Sequence, residues 1–471
     1  MISIHEHKQI TEDELSKAEM DESEKSELCS AFRKTFKDEK KDLAPRHLGI
    51  DGELKAGYYI GVCWVKLEGK ESISVQVLPK KFDDTKKKID YIRLFATALE
   101  VDSFEEAEYF SGYYSIDFEE SPVEVSSDEN LITPLLLFHY LTLLTHLSKK
   151  GLRKGYVHRE ENLQSKVRGR ISFIHNLRKN VLNKRENRNC CKFQEYTVDT
   201  PENRFLKKAL LVAESQLKNI PLKSCEELFR RLGCIKSAFF EVSDDFSESR
   251  RMKVSPNKLY PHYAEAVRVA EMILRYFDRD MNGSSSQVHS VRPFCIDMSR
   301  LYEMYVLHLL KKAYPGKIHF QVKGSHWTQV DFIKTGEDEK IILDAKYKPR
   351  YEKGDRGIVD DVREISGYAR DNKILKILGW NPAAEKGKYL PDCVIVYPAV
   401  QSDEDEKENE KGDPKTVNSS DPSKTAVDRR DENEKKKTPF DSTKTVVDQC
   451  DEIKFFSGFY KIAVPLPIKG E

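Results

Sequence analysis

Thr328–Lys348, TQVDFIKTGEDEKIILDAKYK, holds two strand-like runs and the turn that joins them. In Glu339–Lys348 the residues alternate, with Ile341, Leu343 and Ala345 on one face and Ile342, Asp344 and Lys346 on the other. At about 3.3 Å of rise per residue, Asp344 and Lys346 fall roughly 6.6 Å apart on one side. Thr328–Ile333 reads as the preceding strand and Lys334–Asp338 as the turn, so a hairpin sets Asp331 beside Asp344. Adjacent carboxylates repel unless a cation lies between them, and oxygen donors suit a hard ion such as Mg²⁺, with Mn²⁺ as a substitute. A lysine beside that ion can position or deprotonate a water, or steady the charge on a phosphate. Together these are the equipment of phosphodiester hydrolysis. Read alone, D-x-K on a strand is more often an exposed salt-bridge pattern, so the neighbouring segments decide.

Upstream, Asp297–Leu310 reads as a helix with little polar surface, and Glu303 shares its face with Leu307 and Leu310. A carboxylate on an apolar stripe needs a partner, either a metal-bound water or a base. Downstream, Asp360–Tyr368 is expected to be a helix opening on two aspartates, with Glu364 and Tyr368 projecting together at i,i+4. A helix acid, a D…DxK hairpin and a second helix, in that order, form the layout of a PD-(D/E)xK nuclease core.

With these residues in place, the chain resembles the McrC family, the nuclease subunits of McrBC methylation-dependent restriction systems. The likeness runs through Gly61–Lys80, which ends in Leu78-Pro79-Lys80, and through the RGR stretch Arg168–Phe173. It continues in the long polar string Glu195–Leu210, EYTVDTPENRFLKKAL, then Asp297–Val306 and the D…DAK pair. The resemblance implies that Asp331, Asp344 and Lys346 are catalytic and that Glu303 is the helix acid, with Asp331, Asp344 and Glu303 as metal ligands. It further implies cleavage of double-stranded DNA and a McrB-like AAA+ GTPase partner, which the N-terminal domain contacts and stimulates. GTP then enters only through that partner, which also reads the modified base. Two positions depart from the family: Val330, where proline is common, and Glu364, where glutamine is common. The second leaves Glu364 and Tyr368 as auxiliary residues. No G-x-x-x-x-G-K-[ST] string occurs, so the chain is not itself a P-loop NTPase.

The 471 residues carry 79 Lys and Arg against 79 Asp and Glu, a net charge of zero that is unevenly spread. Residues 101–130 hold ten acids and no Lys or Arg, whereas residues 149–192 hold fourteen bases and three glutamates. Segregation of this kind predicts separate partners. The acidic stretch suits a protein surface, and its aromatics Phe104, Tyr109, Phe110, Tyr113 and Tyr114 predict that it packs onto something. The basic stretch suits a DNA backbone through Arg168, Arg170, Arg178, Lys179, Lys184 and Arg185. Nine cysteines show no zinc spacing, and Cys190-Cys191 cannot chelate one tetrahedral ion. His139 and His146 interrupt the longest apolar run, Thr133–Leu147, and read as core or cap residues rather than ligands. That run is too short to span a bilayer and no signal peptide opens the chain, so a cytoplasmic protein with no membrane partner is expected.

The expected fold is α+β and multidomain. It comprises a β-rich N-terminal domain over 1–125, a mainly helical basic region over 126–290 and a C-terminal α/β nuclease core with a mixed sheet over 291–471. Residues 401–450 are almost wholly polar, and Asp421–Asp428, DPSKTAVD, returns as Asp441–Asp448, DSTKTVVD. This stretch reads as a disordered insertion between strands Cys393–Tyr397 and Phe459–Val464, which are expected to pair at the sheet edge. Two functions follow: a nuclease subunit, or a non-catalytic DNA-binding or assembly factor on the same fold. Intact Asp331, Asp344 and Lys346 favour the first.

Overall fold

The computed structural model of the chain describes residues 1–17, 22–38, 47–67, 72–80, 88–100, 112–126, 130–218, 226–245, 260, 263–277, 288–325, 328–337, 339–348, 356–381, 390–399 and 440–469. It opens with strand β1 (Ile2–His5) and helices α1 (Glu12–Lys17) and α2 (Glu22–Asp38). Strands β2 (Tyr59–Val65) and β3 (Ile73–Leu78) follow, then helix α3 (Tyr91–Ala98) and short strands β4 (Tyr114–Ile116) and β5 (Val123–Ser126). β1 runs parallel to β3 and β2 antiparallel to it. Ile2, Ile4, Val75 and Val77 thereby join Leu28 and Phe32 of α2 in one apolar core. Of the aromatics in the acidic stretch, Tyr113 and Tyr114 are buried, and Phe104, Tyr109 and Phe110 lie outside the described residues.

The middle of the chain contains helix α4 (Ile132–Lys150), strands β6 (Gly155–Gln164) and β7 (Arg170–Ile171) and helix α5 (Phe173–Lys179). Strand β8 (Arg188–Thr197) and helices α6 (Pro201–Leu217), α7 (Glu226–Ala238) and α8 (Tyr263–Tyr276) complete it. Most of the basic segment is strand rather than helix, with α5 the exception: β6 and β8 form a ten-residue antiparallel ladder, from Gly155↔Thr197 to Gln164↔Arg188, with β7 on the outer side of β8. Its half-exposed alternation carries Tyr156, His158 and Glu160 outward on β6 and Lys192, Gln194 and Tyr196 outward on β8, so a mixed outer face concealed the period of two. Gly169 in RGR has φ +66°, and a side chain there would meet the Lys192 carbonyl oxygen at 2.5 Å, so glycine is required where the chain crosses β8.

The long polar string has a structural purpose. Thr200 caps α6 through the Asn203 N–H at 3.3 Å, and Pro201 opens the helix. Asn203 is fully buried, donates to the Arg153 and Val198 carbonyls at 2.9 and 2.6 Å, and accepts from the Tyr263 hydroxyl at 2.9 Å. Asp199 accepts both Arg204 Nε and Nη2 at 2.7 Å, which holds its carboxyl below the usual range, at about 2, against the opposing effect of burial.

The last third begins with β9 (Val288–Val291), paired to β5, and β10 (Phe294–Asp297). β10 inserts between β2 and β4, giving the order β1-β3-β2-β10-β4. Helix α9 (Met298–Ala313) follows directly, with Asp297 capping the Ser299 and Arg300 N–H groups at 3.1 and 3.2 Å. Next come β11 (Ile318–Lys323), β12 (Gln329–Lys334), β13 (Ile341–Ala345), α10 (Arg356–Tyr368), α11 (Asn372–Leu378), β14 (Asp392–Ala399), β15 (Asp451–Glu452) and β16 (Phe459–Pro465). They form a mixed sheet, β11-β12-β13-β14-β16-β15, antiparallel through β13 and parallel across β13, β14 and β16. β14 and β16 pair as expected, but β14 is central and the two-residue β15 forms the edge.

Two expectations are corrected. Among the described residues, those within 1–101, 110–132 and 288–471 form one compact unit and those within 133–287 a second. The boundary near 290 therefore does not free a separate C-terminal domain, because β10 is a strand of the N-terminal sheet. The insertion is also shorter than 401–450. Residues 401–439 lie outside the described residues, but Phe440 and Val446 are 1% and 0% exposed. The second repeat copy is docked: the N–H groups of Val446 and Val447 donate to Glu339 at 2.8 and 2.9 Å, and Phe440 packs on Tyr314 at 6.4 Å.

Candidate active site

The hairpin brings the acids together as its spacing required. The β12–β13 ladder runs Lys334↔Ile341, Ile333↔Ile342, Phe332↔Leu343, which leaves Asp331 opposite Asp344. There the Asp331 side chain substitutes for a ladder bond, as Oδ2 accepts the Ala345 N–H at 2.9 Å. All five residues of β13 are buried, including Asp344 at 3%, because the strand is covered on both faces and flanked by β12 and β14. Asp344 also shares a hydrogen bond with Asp331, and its Oδ2 lies 2.7 Å from Lys346 Nζ.

α9 supplies the third acid. Glu303 Oε2 accepts from Gln321 Nε2 at 2.8 Å, and the same amide reaches Asp331 Oδ1 at 3.5 Å. Gln321 sits on β11 with φ +50°, an uncommon conformation for a residue with a side chain, and bridges the two acids. Sequence reasoning missed it, since a glutamine in a half-exposed strand carries no signal of its own. α10 supplies the fourth: Glu364 Oε2 accepts from Lys346 Nζ at 2.8 Å, while the Tyr368 hydroxyl donates to Glu364 Oε1 at 3.1 Å. Glu364 and Tyr368 thus project together as expected. The helix, however, starts at Arg356, so Asp360 and Asp361 lie in its second turn rather than at its opening. Asp361 instead receives Lys348 Nζ on both oxygens, at 2.7 and 2.8 Å.

The electrostatics follow from burial. Burial pushes Glu303 up to about 8, with repulsion from Asp297 and Asp344 adding to it. Asp331 is held well above the ordinary carboxylate range by burial and then by Glu303 and Asp344, against the Ala345 N–H and Lys346. Asp344 is raised by burial, partly offset by Lys346. For Lys346 burial works downward, but Asp344 and Glu364 outweigh it and raise the ammonium further, so this lysine stays charged. Burial likewise pushes Glu364 up, but Lys346 and Tyr368 prevail and lower it.

Among the described residues, no three His, Cys, Asp or Glu side chains stand as a ready-made metal cage. The donor chemistry nonetheless fits a hard cation. Three oxygen-donor side chains are each disfavoured as anions by burial and by their neighbours, and two of them share a hydrogen bond that a cation would replace. The eight described cysteines are free, and His139 is buried in α4 as expected of a core residue.

The DNA-binding candidates all lie on the β6–β8 hairpin and the α5 turn, and all six are exposed. Arg168 is already engaged, 3.1 Å from Glu195 and 4.2 Å above the Phe193 ring. Arg178 and Lys179 end α5, and Lys184 has φ +54° in the turn beyond it. The same tip exposes Phe173, Ile174, Val181 and Leu182 at 54–76%, an apolar surface that the charge pattern did not indicate. No described helix is long and apolar enough to cross a membrane.

The family model described as "McrBC 5-methylcytosine restriction system component" matches residues 54–362. The chain is similar to a Thermococcus gammatolerans structure described as a refined half-complex from a tetradecameric assembly of McrB AAA+ hexamers with bound McrC. The likeness is at 16% identity, covers 98% of this chain and 94% of that one, and has a TM-score of 0.38. A second structure, the cryo-EM McrBC complex of the same organism, is 17% identical over 66% of this chain and 87% of that one, with a TM-score of 0.28. No curated protein matches the chain.

Proposed function

Because the chain belongs to the family of McrBC 5-methylcytosine restriction system components, we propose that it is the DNA endonuclease subunit of such a system, a hydrolase of the PD-(D/E)xK class. The observation that carries this reading is the convergence of Asp331, Asp344, Lys346 and Glu303 from β12, β13 and α9 at one part-buried point. Asp331, Asp344 and Glu303 would hold Mg²⁺, which when bound supplies Lewis-acid activation of a phosphodiester and offsets the mutual repulsion of the acids. Lys346, kept charged by Asp344 and Glu364, is suited to steadying negative charge on a phosphate rather than to taking a proton from water. Glu364 is then no obstacle to DNA, since its charge is spent on Lys346, and Tyr368 orients it. Gln321 holds Glu303 and Asp331 at a fixed separation.

Duplex DNA is the proposed substrate, and a McrB-like AAA+ GTPase is the proposed partner that switches cutting on and is stimulated in return. GTP belongs to that partner. The basic side chains of the β6–β8 hairpin would meet the phosphate backbone. The large apolar side chains exposed among them favour a protein contact at the same tip as a second reading.

The test is Asp344→Ala in the full chain with its partner motor, GTP and Mg²⁺. Wild type should cleave duplex DNA only with the motor and GTP, and the variant should bind the motor yet leave DNA intact. Cleavage by the variant at the wild-type rate would remove the assignment. Motor stimulation with no cleavage by either protein would favour the non-catalytic assembly factor.

A further inference from the structure

The catalytic strand leaves its ladder just where the chemistry is proposed to lie. β13 ends at Ala345 and its ladder with β12 closes at Phe332↔Leu343, so Lys346 is tied to the sheet by the bond from its N–H to the Val396 carbonyl of β14, at 2.8 Å, while its own carbonyl accepts the Lys348 N–H at 2.7 Å. The next residue is fixed from elsewhere in the chain. Lys80 Nζ donates to the Tyr347 carbonyl at 2.7 Å across 267 residues, and lies 3.1 Å from the centroid of the Tyr347 ring.

Lys80 follows β3 and is 5% exposed, an unusual place for an ammonium. Its own N–H donates to Glu6 Oε2 at 2.9 Å, and Glu6, just after β1, is 2% exposed. The Glu6 N–H donates to the Leu78 carbonyl at 3.0 Å, so the paired ends of β1 and β3 present the lysine as one rigid piece. On its other side the Tyr347 ring packs against Tyr302 at 5.5 Å, and Tyr302 immediately precedes Glu303 on α9. One buried residue thus links the backbone beside Lys346 to the helix that carries the third acid.

Resting on the nuclease reading, we propose that Lys80 is a positioning residue of the active site. It grips the Tyr347 carbonyl so that Lys346 is held against Asp344 and Glu364. Glu6 and Lys80 are a buried acid and base that interact electrostatically, and replacing such a couple together with apolar residues is often neutral or stabilising. A pair retained for positioning should therefore separate stability from rate.

Lys80→Met and the double variant Glu6→Leu/Lys80→Met are assayed in the full chain with its motor, GTP and Mg²⁺, beside wild type and Asp344→Ala. Supporting outcomes concern the rate at saturating DNA, which should fall about 10–100-fold, as for residues that orient those doing the chemistry. The half-saturating DNA concentration should not change, and the double variant should melt no lower than wild type. Wild-type cleavage by either variant overturns the inference, as does a loss seen only in DNA affinity. Failure of both variants to fold overturns it too, because Lys80 would then serve the fold alone. The nuclease reading fails separately, if Asp344→Ala cuts like wild type.

Discussion

Glu303→Gln tests whether the acid cluster is held at a cost that a cation relieves. Glu303 is raised from the ordinary 4.5 to about 8, so the folded chain binds this proton more tightly than the unfolded chain. Below 4.5 both states are protonated and the site imposes no penalty. Between 4.5 and 8 the unfolded chain ionises first, so stability falls as pH rises, and above 8 the full penalty remains. At 1.36 kcal/mol per pH unit that window sets a ceiling of about 5 kcal/mol. Sharing of the burden with Asp331 and Asp344, together with relaxation of the site, reduces it to about 2 kcal/mol. In EDTA the variant should therefore melt about 4–8 °C above wild type at pH 8 and level with it near pH 4.5. Mg²⁺ should raise the melting temperature of wild type at pH 8 and raise that of the variant less, since a ligand that binds only the folded state stabilises it. The same variant should lose cleavage, so stability and activity move in opposite directions. Thermal melts across pH with and without Mg²⁺ supply the readout. Parallel melting curves for the two proteins from pH 5 to 8 would refute the reasoning.

Lys346→Ala should slow cutting about 10²–10³-fold through loss of a fixed positive charge, while Mg²⁺-induced stabilisation survives because an ammonium is not a ligand. Calorimetry showing metal binding abolished along with the lysine would assign it a structural role. Replacing Lys184 and Arg185 together should weaken binding to every DNA sequence alike and flatten the salt dependence by about 0.9 for each phosphate no longer neutralised. A slope that does not move would assign the tip to a protein partner. Deleting 403–438 should leave melting and cleavage unchanged, whereas deleting 403–448 removes Phe440 and Val446 from the core and should cost about 3–5 kcal/mol for the buried ring alone. Equal stability of the two deletions would show that the second repeat copy is not needed.

The hairpin was legible because two rules pointed the same way. Alternation fixed the faces of Ile341–Lys346, and a turn of polar residues fixed the pairing that sets Asp331 beside Asp344. Glu303 was legible because a carboxylate on an apolar helix stripe is conspicuous. The repeat at 441–448 misled for the converse reason. Its copy at 421–428 lies outside the described residues, and composition alone could not tell that Phe440, Val446 and Glu339 would give the second copy somewhere to dock. The β6–β8 hairpin was hidden by its mixed composition, since Tyr156, His158 and Glu160 alternate with Val157 and an ion-paired Arg159 and so leave no hydrophobic periodicity to register.

What the sequence could not disclose is the support around the site, and the reason is physical rather than statistical. Gln321, Lys80 and Asp361 each act through a hydrogen bond to a residue distant in sequence, and none sits in a pattern whose period betrays it. The polar string Glu195–Leu210 is the instructive contrast. It is the most recognisable part of the chain, yet its residues cap α6 and satisfy buried carbonyls. Distinctive sequence arises there because a buried asparagine with three partners tolerates no substitute. The acids at 331 and 344, by contrast, are short and common letters whose meaning comes from the fold. Recognisability therefore follows the number of bonds a side chain must satisfy, whereas the proposed chemistry rests on Asp331, Asp344, Lys346 and Glu303, which the packing of β12, β13 and α9 brings together.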